Sequence, residues 1–398
     1  MSASIKKVIL CADGDSTDIN LWSNIPFLLA AELEHRGIKV VRINLKQPLL
    51  LRRLWRYIFG PFHKLRHWNT SFDFFRSRIN YLLTTRRLNK AVRRNSSPDT
   101  ILINLSISSS PSVSSIPVVL LSDWSYHYYI TEHLHRNPDL SEQATIHRDH
   151  AAMARSSLVV LLFPESAARL QRQIPKGSFR FLGHVINDHP LAPPVRPQLL
   201  IHQSRQPWRL LFVGRQRYLS GLRLLLDSLS LLPDAIHIQL DIIGMDLLDF
   251  SLLGPQRFPV NFHGYLSKEI ADERRLYYAL MNNADLVINA SSIWGGFSAT
   301  VEAMHRYTAV ITPPYSEFRA LFGHKISFGS YLSDLTPSCL SSSIADLLLD
   351  SQSLQQKKQN AHEAVKSFTW KNFVTRLLAD ISSLPPERQN IVSPPLSS

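Results

Sequence analysis

Trp208-Arg209-Leu210-Leu211-Phe212-Val213-Gly214-Arg215 is an apolar run that ends on a glycine and a cation. A short run of this kind, stopped by a glycine, reads as a strand buried on both faces. Gly221 then opens an apolar helical stretch, Leu222 to Leu232. The same order recurs downstream. Ala284-Asp285-Leu286-Val287-Ile288-Asn289 reads as a strand, and Gly295-Gly296-Phe297-Ser298-Ala299-Thr300-Val301-Glu302-Ala303-Met304 turns into a helix. Both are strand-to-helix crossings of an α/β sheet, and ligands bind outside the carboxyl ends of such strands. One crossing carries Arg215, the other Glu302.

The alternation extends in both directions. Toward the start, Lys7–Ala12 is an apolar strand, Asp13-Gly14-Asp15-Ser16 a turn, and Ile25, Leu28, Leu29 and Leu33 recur at helical spacing. Arg36-Gly37 stops that helix, and Ile38–Ile43 is the next strand. Thr100–Leu105, Pro117–Leu121 and Ser157–Leu162 continue the series. Prolines gather at 190–197, after which strands restart at 210–213, 236–243, 260–263, 286–289 and 309–312. The expectation is an α/β protein of two Rossmann-like domains facing across a cleft. Residues 1–189 form the first, 190–207 a linker and 208–383 the second. The last helix packs back on the first domain, and 384–398 is a disordered tail rich in proline and serine.

Composition narrows the class. A chain of 398 residues with 44% hydrophobic content supports two sizeable cores. Cys11 and Cys339 lie far apart in apolar surroundings and read as buried thiols, not as a disulfide or a zinc site. The start runs directly into a strand, so no signal peptide is expected, and no apolar run is long enough to span a bilayer. A cytoplasmic protein, peripheral on the inner membrane face, is expected. The net charge of +13 is concentrated between Lys46 and Arg94, where 13 Lys or Arg face a single acid, Asp73. Within it Leu51, Leu54, Ile58, Phe62 and Leu65 recur at helical spacing beside Trp55 and Phe59, with a break or kink expected at Gly60-Pro61. A basic amphipathic stretch with aromatics suits an anionic membrane surface. The plainer reading is a domain helix with its arginines in water. Nucleic acid would answer the same charge, but no nucleic-acid-binding motif accompanies it, so none is expected as a partner.

Several segments resemble a retaining nucleotide-sugar glycosyltransferase of the two-Rossmann (GT-B) type, glycosyltransferase family 4-like. Phe212-Val213-Gly214-Arg215 with Gly221 resembles that family's Gly-Arg…Lys-Gly phosphate loop. Val260-Asn261-Phe262-His263-Gly264-Tyr265 resembles the strand and glycine lining its nucleobase pocket. Asn283–Ile288 with Gly296-Phe297 and Glu302-Ala303-Met304 resembles its Glu-x7-Glu segment. Phe368–Phe373 resembles the Ser/Thr-Trp start of its last helix, and Ile116–Asp123 the strand whose end carries a catalytic-site polar residue. The chain departs from the pattern twice. Ser220 stands where the family has the phosphate-loop lysine, and Trp294 stands at the first Glu.

The resemblance implies a nucleotide-sugar donor, a glycan or lipid-linked acceptor, no cofactor and no metal. Arg215 would grip the departing diphosphate by charge-assisted hydrogen bonds, with Gly214, Ser220 and Gly264, Tyr265 around the donor. Arg217 would replace the missing lysine. Amides near Gly296, Phe297 and Ser298 offer a helix N-terminus to the anion, and Glu302 would accept from ribose hydroxyls. Asp123 would steady the sugar or acceptor hydroxyl, its plainer alternative being a helix N-cap. Gly14 and Asp15 in the turn after the first strand, with His127, fall on the acceptor side. An inverting enzyme resembling the lipid-linked N-acetylglucosaminyltransferase of peptidoglycan synthesis, and a non-catalytic GT-B scaffold or regulatory protein, stay open as alternatives.

Overall fold

The computed structural model describes residues 5–66, 73–189, 207–246, 257–292 and 297–385. Trp294, Gly296, the proline-rich segment 190–197 and all but the first two residues of the expected tail lie outside the described residues. The chain divides into two compact units, Met1–Val185 with Trp370–Ser398, and Ile186–Thr369.

The first unit runs β1 (Lys7–Ala12), α1 (Ile25–His35), β2 (Lys39–Asn44), α2 (Leu49–Arg66), α3 (Arg78–Asn95), β3 (Thr100–Asn104), β4 (Val118–Ser122), α4 (Tyr126–Tyr128), α5 (Leu140–Arg155), β5 (Leu158–Leu161), α6 (Pro164–Gln173) and β6 (Phe179–Phe181). Its six strands pair in parallel in the order β2-β1-β3-β4-β5-β6. Helices cover both faces. Val8, Leu10 and Ala12 point into one core while Ile9 and Cys11 point into the other. This two-sided burial is why the strands read as continuous apolar runs. The helix Trp370–Ser382 closes this unit from the far end of the chain. Its Trp370, Phe373, Val374, Leu377 and Ile381 form one buried stripe in the same core as Leu29 and Leu33 of α1.

The second unit runs β7 (Trp208–Val213), α7 (Leu219–Leu229), β8 (Ile238–Ile243), β9 (Val260–Phe262), α8 (Ala271–Asn283), β10 (Leu286–Ile288), α9 (Ser298–His305), β11 (Ala309–Thr312), α10 (Ser316–Phe322), β12 (Gly329–Tyr331), α11 (Pro337–Leu349) and α12 (Ser351–Val365). Trp370–Ser382 is α13. The sheet is again six parallel strands, ordered β12-β11-β10-β7-β8-β9.

Three features differ from the sequence reading. Helix α2 runs through Gly60-Pro61 without ending, because an internal proline removes one backbone bond and the turns on either side keep theirs. Strands β6 and β12 carry no apolar run that announces them. Each is three residues long and held by pairing at a sheet edge. Cys339 is half-exposed on α11, with Ser333 Oγ 3.3 Å from its sulfur, and that hydrogen bond lowers its thiol pKa. Cys11 is buried, and burial raises its own.

Candidate functional site

In the second sheet the chain builds β7, β8 and β9 outward on one side, then returns to place β10 on the other side of β7. The strand order therefore reverses between β7 and β10, and ligands in open α/β sheets bind at that reversal. Gly214-Arg215 leaves β7 there. Three further turns converge on the same edge. Gly244 N, after β8, donates to Gly264 O, after β9, at 2.7 Å. Gly264 adopts φ +63°, and a Cβ on it would meet Asp246 Oδ1 at 2.7 Å. Gly221, in the first turn of α7, packs against the loop after β10 so closely that a Cβ would stand 2.8 Å from Ser291 N. Only a residue without a side chain allows that approach.

Arg215 is exposed, with its guanidinium carbon 4.8 Å from the centroid of the Tyr265 ring, itself 54% exposed. No carboxylate among the described residues pairs with it. Arg217 lies over the neighbouring Tyr218 ring and hydrogen-bonds its hydroxyl. Ser220 is exposed in the first turn of α7. Across the reversal, Phe297 takes a left-handed conformation (φ 38°) and starts α9 with no side-chain cap from a described residue, while its ring packs edge-on to Phe318 at 5.0 Å. Ser298 is the first residue of that helix.

Glu302 is buried in α9. Its Oε2 accepts from Lys268 Nζ at 2.8 Å and from the Tyr277 hydroxyl at 2.9 Å. Burial raises its pKa, and the Lys268 ammonium opposes that shift. Oε1 receives no hydrogen bond from a described residue. Lys268 also donates to Asn187 O at 3.1 Å and sits 4.9 Å from the Tyr277 ring centroid. Beside it, Asp188 pairs with His305 at 2.9 Å and with the fully buried Arg306 at 3.2 Å. Lys268, Tyr277 and Asp188 escaped the sequence reading, because each meets Glu302 or α9 only through folding. Lys268 lies 34 residues from Glu302 along the chain.

In the first unit Asp123 directly follows β4, half-buried. Its Oδ1 accepts from Trp124 N at 2.9 Å and Ser122 Oγ at 3.2 Å, and its carboxylate also takes a bond from the Trp22 side chain. Desolvation raises its pKa against these bonds. The cap of α4 is Ser125, whose side chain accepts from Tyr128 N, so Asp123 is not a helix cap. Trp22, Ser23 and Asn24 have φ of 42°, 53° and 70°. Three consecutive left-handed non-glycine residues are costly and persist where surrounding structure holds them. His127 Nδ1 lies 3.2 Å from Gln173 Nε2, and burial and then Arg169 lower its pKa. Gly14 packs under Leu21. Asp15 faces solvent and closes an Asx turn on Thr17, whose bonds lower its pKa. Among the described residues no cluster of three or more His, Cys, Asp or Glu is placed to hold a metal, and no helix is long and apolar enough to cross a membrane.

No protein-family model matches this chain, and no curated protein matches it in sequence. Solved structures do. HepE from Anabaena, in complex with UDP and glucose, aligns over 95% of this chain and all of its own at 16% identity and TM-score 0.59. HepE is also solved with UDP-glucose. Sucrose-phosphate synthase from Thermosynechococcus elongatus aligns over 94% and 97% at 17% identity and TM-score 0.58. The N-terminal domain of trehalose-6-phosphate phosphatase from Candida albicans aligns over 96% and 99% at 12% identity and TM-score 0.63. At these identities the likeness concerns architecture. With two parallel six-stranded sheets flanked by helices, the chain has the GT-B fold of its glycosyltransferase neighbours.

Proposed function

We propose that this protein is a glycosyltransferase that moves a hexosyl group from a nucleotide-sugar donor to an acceptor hydroxyl with retention, in envelope polysaccharide or glycolipid synthesis. The observation that carries the reading is Arg215, an exposed cation with no carboxylate partner among the described residues, stacked on Tyr265 at the strand-order reversal. Transfer breaks the bond between the anomeric carbon and the phosphate oxygen and makes one to the acceptor oxygen. The acceptor proton leaves with the nucleoside diphosphate. Charge therefore grows on the diphosphate in the transition state, and donors already in place there stabilise it. Arg215 supplies a bidentate donor and the start of α9 at Ser298 supplies amides. Arg217 takes the role of the lysine replaced by Ser220, and Glu302 Oε1 accepts from the ribose. Tyr265 and Gly264 border the base, and Asp123 steadies the sugar or acceptor hydroxyl. UDP bound to HepE makes UDP the first nucleotide to try.

Helix α2 supports a peripheral membrane role. Leu50, Leu54, Tyr57 and Ile58 are 79%, 52%, 83% and 47% exposed on a helix that also exposes Arg52, Arg53 and Arg56. Apolar side chains flanked by arginines fit an anionic lipid surface.

Calorimetry with UDP, GDP, ADP and CMP tests the donor site, comparing the intact chain with Arg215→Ala and Glu302→Ala. Selective binding of one nucleotide, weakened by both changes, is expected. Binding of none refutes the reading. Ser220 and Trp294 favour the second reading, a non-catalytic GT-B scaffold or regulatory protein. It is distinguished by nucleotide binding without transfer from any matching sugar nucleotide.

A further inference from the structure

The first unit holds a polar pocket that plays no part in the site described above. It is lined by Arg76, Ser77, Asn80, Ser108, Arg148 and Asp149, with Asp13 exposed beside them. Asp13 follows β1 and Ser108 follows β3, the two strands between which the order of the first sheet reverses. This is the position at which an open α/β sheet offers a ligand site.

The pocket has an excess of directed donors. The Arg76 guanidinium carbon lies 4.0 Å from the Tyr126 ring centroid, and Nη1 donates to Ser108 Oγ at 3.2 Å. Asp149 is 3.7 Å from that nitrogen, too far for a hydrogen bond, so the pair is loose. Arg148 donates from Nη2 to Arg76 O at 3.0 Å and to Thr145 Oγ1 at 2.9 Å. Its Nε and Nη1 donate to no described residue. Ser77 caps α3, an 18-residue helix, so the positive end of that helix adjoins the pocket. Asp149 is 3% exposed, and burial, opposed mainly by Arg76, pushes its pKa up to about 7. That shift lessens its negative charge beside the two guanidinium groups, while its Oδ2 still accepts from Ser108 Oγ at 3.4 Å. Two guanidinium groups and a helix N-terminus thus face one buried carboxyl and one exposed carboxylate.

We propose that this pocket binds a phosphate-class oxyanion carried by the acceptor, with Arg76 and Arg148 as its paired ligands. Two guanidinium forks and neighbouring hydroxyls match the oxygens of a phosphate monoester, whereas a neutral sugar would offer no charge to the two cations. That the anion belongs to an acceptor rests on the proposed transferase function. The anion site stands without it.

The test is calorimetric titration of the full chain with inorganic phosphate and with glycerol 3-phosphate, beside a UDP titration. The intact chain should bind both phosphates, glycerol 3-phosphate more tightly. Arg148→Gln should weaken both at least tenfold, and Asn80→Trp, which fills a half-exposed lining position, should do the same, with UDP binding unchanged. Arg215→Ala should show the reverse pattern. If Arg148→Gln loses UDP as well, it has misfolded, and Asn80→Trp decides. Absence of phosphate binding to the intact chain, or binding undiminished in Asn80→Trp, overturns the proposal. Equal affinity for the two phosphates overturns its acceptor part and leaves a free-phosphate site. Phosphate binding without any nucleotide binding would sink the donor reading alone.

Discussion

Replacing Lys268 by methionine keeps most of the side-chain volume and removes the charge. Glu302 then stays buried with only the Tyr277 hydroxyl as partner. The two side chains are 12% and 4% exposed, so solvent cannot take over the role of the ammonium. Removing one member of a buried ion pair costs about 3–5 kcal/mol. The remaining Tyr277 bond and the slight exposure of Lys268 place the expected loss near 3 kcal/mol at pH 8. For a unit of this size that corresponds to roughly 6–12 °C in Tm. The loss must depend on pH in a defined direction. Without Lys268 the folded pKa of Glu302 rises further above its unfolded value of about 4.3. Such a group contributes stability that is present below the unfolded pKa and is lost as pH rises through the folded one. Lys268→Met should therefore be close to the parent at pH 4 and fall behind as pH increases. In a Glu302→Gln background the same change should cost less than about 1 kcal/mol. Urea unfolding at pH 4, 6 and 8 measures the four proteins, with hydrogen exchange in α8 and α9 locating the loss. A pH-independent loss, or an equal loss in the Glu302→Gln background, would refute the charge argument.

Three further outcomes follow from other sites. Because burial raises the folded pKa of Asp149 to about 7, its contribution is full at pH 4 and lost as pH rises through 7. Asp149→Asn should flatten the stability profile over that window in urea unfolding. Gly221→Ala should cost about 1–3 kcal/mol in the same assay, since its Cβ would press on the backbone at Ser291 and neither helix nor loop can yield cheaply. The triple change Leu50→Ser, Leu54→Ser and Tyr57→Ser should leave stability within about 0.5 kcal/mol. It should abolish co-sedimentation with phosphatidylserine vesicles while leaving neutral vesicles unbound. Undiminished co-sedimentation would remove α2 as the lipid-facing element.

The site was legible in proportion to how local its signals are. Gly214-Arg215 and the helix after it could be placed because a strand, a glycine and a helix follow one another within about twenty residues. Gly221 was visible as a glycine at a helix start, and its close approach to Ser291 gives the reason for it. Glu302 could be placed on a helix after a strand, but its burial and its bond to Lys268 could not, since that contact joins two segments separated by β10 and α8. Asp123 was found at its strand end. The strained turn that brings Trp22 to it left no trace, since neither tryptophan nor serine advertises a left-handed conformation.

From the sequence alone came the α/β alternation, the length of the core strands and the two crossings carrying Arg215 and Glu302. Hydrophobic periodicity and glycine spacing are properties of neighbours along the chain, and they report local structure directly. Tertiary structure decided the strand order, and with it where each sheet reverses. It paired Glu302 with Lys268, and gathered Arg76, Arg148 and Asp149 into one pocket. Those outcomes depend on contacts between residues distant in sequence, whose energies arise only when burial removes water from both partners.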